Sequence, residues 1–82
     1  MDGKFDMYDE PIIKLAENIE TGDIAEIEYG DYGNFVKVII DHIEKNDDCF
    51  KTVGKYLDNN QNFECYSYEE TQSYKIIGKL LN

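Results

Sequence analysis

The sequence predicts an α+β domain: an N-terminal helix followed by five short antiparallel strands forming a small barrel or a strongly bent sheet. Three observations carry this. Apolar residues at Ile12, Leu15, Ala16 and Ile19 recur every three or four positions, the helical period. From Asp23 onward the period falls to two. Glycines at 54 and 78 interrupt strand-like segments, where glycine marks a bulge or a sharp bend.

Taken in order, residues 1–8 read as a flexible start and residues 9–82 as a single domain. In "DEPIIKLAENIETG" Asp9 can cap the first turn, Pro11 suits a position whose N–H is unused, and Gly22 suits a left-handed stop. "DIAEIEY" from Asp23 puts Ala25, Ile27 and Tyr29 on one face and Ile24, Glu26 and Glu28 on the other. "GDYG" at 30–33 is a turn. "NFVKVIIDHI" is apolar on both sides and so reads as central, with His42 facing inward by parity with Val36, Val38 and Ile40. "CFKTVGKYL", "FECYSY" and "SYKIIGKLL" supply three more strands, joined by the polar turn "DNNQN" and by "EETQ".

The order of these elements is that of small Sm-like and SH3-like barrels. The hydrophobic spacing from Asp23 to Leu80, "GDIAEIEYGDYGNFVKVIIDHIEKND" through "YEETQSYKII", resembles the YolD-like family of small bacterial domains, and that resemblance implies such a barrel.

At 82 residues the chain has room for one small core and no large enclosed active site. The opening "MDGKFDMYDE" lacks the order of a signal peptide, and the longest apolar runs are far short of the roughly 20 residues that cross a bilayer. A soluble cytoplasmic protein is expected, with no membrane partner and with Cys49 and Cys65 as reduced, part-buried thiols.

The net charge is −10, and residues 1–34 hold ten acids against two lysines. Between Lys14 and Lys37 there are six acids and no cation: Glu17, Glu20, Asp23, Glu26, Glu28 and Asp31. All eight cations are lysine, so direct nucleic-acid binding, which draws on neutralised phosphates and on guanidinium forks, is not expected. Solubility alone asks for a net charge of magnitude about 2–8. The excess points to a use.

Catalytic and metal readings are weak on the residues available. Glu26 and Glu28 lie about 6.6 Å apart along a strand, a spacing open to an acid–base pair, but nothing completes the site. His42 is the only histidine. Asp58, Asn60, Asn62 and Glu69 match part of a calcium loop, yet Phe63 stands where that loop needs glycine. No catalytic residue, metal or cofactor is expected.

The reading that follows is a non-enzymatic acidic module that binds a basic protein surface through Glu17, Glu20, Asp23, Glu26, Glu28, Asp31 and Tyr32. In size and charge it resembles small phage-encoded inhibitors of nucleic-acid enzymes, including anti-CRISPR proteins. That implies a mimic of nucleic acid acting on a host enzyme. The alternative is an acidic accessory or regulatory domain that docks a protein through edge strands and tyrosines, with a homodimer admitted. A third reading gathers Lys51, Lys55, Lys75 and Lys79 into one patch that touches nucleic acid through stacking tyrosines.

Overall fold

A computed structural model describes residues 4–28, 33–67 and 73–81. Among them the chain is all-β. Six strands, β1 (Lys4–Leu15), β2 (Asp23–Glu28), β3 (Phe35–Lys45), β4 (Phe50–Tyr56), β5 (Asn62–Ser67) and β6 (Ser73–Leu81), form one antiparallel sheet in the order β1-β6-β2-β3-β4-β5.

The expected N-terminal helix is absent, which overturns the α+β class. Residues 9–15 belong to β1, and only Ala16–Asn18 form a single 3-10 turn between extended flanks. A helix of this length is marginal by itself. Against it stand Pro11, the β-branched pair Ile12–Ile13, and a free edge on β6 that pairs Ile12 with Ile76 through Leu15 with Ser73. Pairing with a strand some 60 residues away overrides the local period. Residues 4–8, expected to be mobile, are the first part of β1, with Lys4–Met7 pairing with Leu81 through Gly78. Between the two ladders Tyr8–Pro11 bulge out of register, so the proline falls where no ladder N–H is required. Gly22 does take the left-handed conformation, φ 97°, but it ends a turn and not a helix.

The five segments read as strands are β2 to β6, with β3 lying inside the sheet between β2 and β4. The sheet is open at β1 and β5 and curls strongly. The hydroxyls of Tyr74 on β6 and Thr52 on β4 share a hydrogen bond of 2.6 Å, although three strand spacings separate those strands, about 14 Å in a flat sheet. Inside the curl lies the core: Ala25, Val38, Ile40, Phe63, Tyr74 and Ile76, joined by Ala16 of the 3-10 turn.

Three irregularities shape the curl. Beside the β1 bulge, Ile77 is an extra residue opposite β2, and Asp41 is an extra residue opposite β4. The bulge at Asp41 reverses the strand's parity. His42, expected inward, therefore pairs beside Val53 on the outer face and is exposed. Gly54 and Gly78 sit next to these bulges, as the sequence suggested. A Cβ at 54 would collide with the Ile39 carbonyl; one at 78 would come within 2.8 Å of the Asp6 carbonyl and 2.7 Å of the Met7 sulfur. Neighbouring strands approach at these points more closely than any side chain allows.

Candidate binding surface

On β2 the alternation places Glu26 on the outer face, directly between Lys37 on β3 and Lys75 on β6. Its carboxylate lies 3.2 Å from the Lys75 ammonium. Glu20 lies 3.6 Å from Lys79. Asp23 is fully buried, and its Oδ2 accepts from Lys14 Nζ at 3.0 Å and from the Glu20 backbone N–H at 2.8 Å. The hydrogen bond from Lys14 leads the causes that raise that lysine's pKa above its ordinary value. Glu28 accepts from the Gly33 backbone N–H at 2.9 Å and so closes the β2–β3 turn. Asp31 and Tyr32 lie outside the described residues.

The stretch that is densest in negative charge is therefore tied internally. Of the six acids expected to form one anionic stripe, three carry lysine partners and a fourth braces a turn. A continuous repelling patch on β2 is not what the fold builds. Glu17, exposed in the 3-10 turn, is the one described acid of that set without a partner.

The lysine patch dissolves in the same way. Lys75 and Lys79 hold Glu26 and Glu20, while Lys51 lies 3.8 Å from Glu64 and 5.9 Å from the centre of the Tyr66 ring. Lys55 alone of those four is free of an ion pair among the described residues.

His42 bridges two carboxylates, with Nδ1 2.7 Å from Asp41 and Nε2 2.9 Å from Glu44. The contact to Glu44, and then that to Asp41, raise the histidine pKa, and the same bond lowers that of Glu44. The clamp is solvent-exposed and holds its imidazole on both nitrogens, which leaves neither free to act as a base. Asn59 Oδ1 accepts from the Gln61 N–H, and the segment from Tyr56 to Gln61 closes as a polar hairpin turn; Glu69 lies outside the described residues. Among the described residues no three His, Cys, Asp or Glu side chains are placed to hold a metal ion.

The exposed apolar surface is elsewhere. On edge strand β1, Ile12, Ile13 and Leu15 are 46%, 65% and 43% exposed, and Met7 is 47% exposed. Asp6, Asp9 and Glu10 on the same strand are exposed and have no ion pair among the described residues. The sequence contained one signal for this surface: "KFDMY" alternates with a period of two, which reading residues 1–8 as mobile passed over.

Comparison with known proteins finds no matching family model, no matching curated protein and no matching solved structure. The likeness to YolD-like domains thus rests on hydrophobic spacing alone. Among the described residues no helix is long and apolar enough to cross a membrane.

Proposed function

We propose that the chain is a non-enzymatic protein-binding module that docks on a basic, partly apolar protein surface through β1. The observation that carries this reading is the edge position of β1 with Ile12, Ile13 and Leu15 uncovered. Apolar side chains on a sheet edge invite association unless something blocks it. Here the bulge at Tyr8–Pro11, the proline, and the acids Asp9 and Glu10 obstruct continuous strand pairing. The same acids repel a second copy of the chain and attract lysines and arginines, which favours a foreign basic partner over a homodimer.

Competition with a nucleic acid for that partner is one use of such a surface. It would be carried by Asp6, Asp9, Glu10 and Glu17, not by β2. The two part-buried free thiols, Cys49 and Cys65, suit a reducing compartment such as the cytoplasm, and burial pushes the Cys65 thiol pKa up, away from reactivity.

Affinity capture from the lysate of the source cell, run in parallel with wild type, Ile13→Asp and Glu26→Lys, tests the reading. A protein retained by wild type and by Glu26→Lys but lost with Ile13→Asp supports it. Retention by Ile13→Asp with loss on Glu26→Lys would return the site to β2.

A further inference from the structure

The outer face of the sheet carries a row that crosses every strand. Met7, Gly78, Ile24, Ile39, Lys55 and Asn62 are successive cross-strand neighbours from β1 to β5. Ile24 in this row is fully buried, yet it is not part of the cluster inside the curl. The outer face therefore has apolar cover of its own and is not a plain solvated surface.

Beside the row the sheet is hollowed into a groove of about 520 Å³, reaching from Leu80 and Gly22 across β3 and β4 to Asn60 and Asn62. Two backbone devices described above border it, the Asp41 bulge and the close approach at Gly54. Its apolar wall is Ile39, Val53 and Leu80, all half-buried. The volume falls in the range of small-molecule sites, about 300–1,000 Å³.

Charge is distributed unevenly along the groove. Toward β5 stands Lys55, exposed and in no ion pair among the described residues, with its cross-strand neighbour Asn62 and Asn60 also in the lining. The groove's carboxylate, Asp41, is occupied by His42 Nδ1 at 2.7 Å. In a chain of net charge −10, where Lys14, Lys51, Lys75 and Lys79 each hold a carboxylate, an ammonium left open beside an apolar wall complements a ligand that brings its own anion.

We propose that this groove binds a small amphipathic anion: an aliphatic or aromatic body lying along Ile39, Val53 and Leu80, and a carboxylate held by Lys55 and the Asn60 and Asn62 amides. A polyanion is disfavoured by the overall charge. The site is separate from β1 and needs no partner protein.

Titration of the ¹⁵N-labelled full chain with decanoate, and in parallel with decanol, tests this by amide chemical shifts. Decanoate should shift Ile39, Gly54, Lys55 and Leu80 and bind more tightly than decanol. Lys55→Gln should weaken decanoate by about five- to tenfold, the scale of one ordinary net hydrogen bond at an exposed site, and leave decanol unchanged. Lys55 is exposed, so the variant retains the fold, and the decanol titration reports that the groove is intact. Ile13→Asp should bind decanoate as wild type does, which separates this site from the β1 surface. Equal affinity for acid and alcohol, shifts centred elsewhere, no shifts at millimolar decanoate, or an unaltered decanoate affinity in Lys55→Gln would each overturn the proposal.

Discussion

β1 and β2 lie on either side of β6 and carry opposite lessons about charge. β2 and its approach hold the densest run of acids in the chain, yet Glu20, Asp23 and Glu26 each meet a lysine from β1 or β6. β1 is less conspicuous in sequence, yet its acids stay unpaired and its isoleucines uncovered. Negative charge along the chain does not foretell negative charge on the surface. What decides is which way each ammonium turns: Lys75 stands opposite Ile13 as well as Glu26, and Lys79 opposite Asp6 as well as Asp23, yet both reach acids on the β2 side, Glu26 and Glu20. The two surface pairs, at Glu20 and Glu26, contribute little to stability, typically about 0–1 kcal/mol. They do set a lysine beside each of those two acids.

The tie between the two regions is Lys14 on β1 with buried Asp23 at the head of β2, and breaking it gives the largest expected effect. Lys14→Met strands a carboxylate that is fully buried and whose Oδ1 already lacks a partner among the described residues. A loss of about 3 kcal/mol in urea unfolding is expected, the scale for removing one member of a buried pair. Gly78→Ala comes next. Its methyl group would press the Asp6 carbonyl and Met7 off β6, at a cost of about 2 kcal/mol, with faster amide exchange across Phe5–Met7 but not Ile12–Leu15. Glu26→Lys faces Lys75 and Lys37 with a like charge and should cost up to about 1 kcal/mol, recovered at high salt.

A pH effect follows from the outer-face clamp. Glu44 and Asp41 raise the His42 pKa above about 6.5, so the folded state holds its proton more tightly than the unfolded state. That contribution is complete below the unfolded value and is lost as pH rises through the folded one. Unfolding midpoints should fall slightly between pH 6 and pH 8 in wild type and not in His42→Gln. Smallest of all, Ile13→Asp replaces a residue 65% exposed on the edge and should leave stability within about 0.5 kcal/mol. A large loss there would mean that Ile13 is packed.

Strands β2 to β6 were legible because their alternation, their polar turns and the glycines at 54 and 78 all lie within short windows of sequence. β1 was not, because its apolar residues fit both periods and the deciding fact is a partner strand ending at Leu81. His42 was misplaced because a bulge shifts parity by one residue without any local mark beyond Asp41 itself. The lysine partners of the acidic stretch were hidden for a third reason: Glu26 meets a lysine 49 positions away, and cross-strand register is not written in spacing. The turn acid that completed the stripe, Asp31, and Tyr32 beside it lie outside the described residues.

Which of the two regions a basic partner touches decides between β1 and β2 as the docking surface. Amide chemical shifts of the labelled chain, followed while the captured partner is added at low salt, report this directly. The result expected is broadening at Met7, Ile12, Ile13 and Leu15 with Ala25, Glu26 and Ile27 unmoved. Perturbation centred on Glu26 and Glu28, with β1 silent, would contradict it.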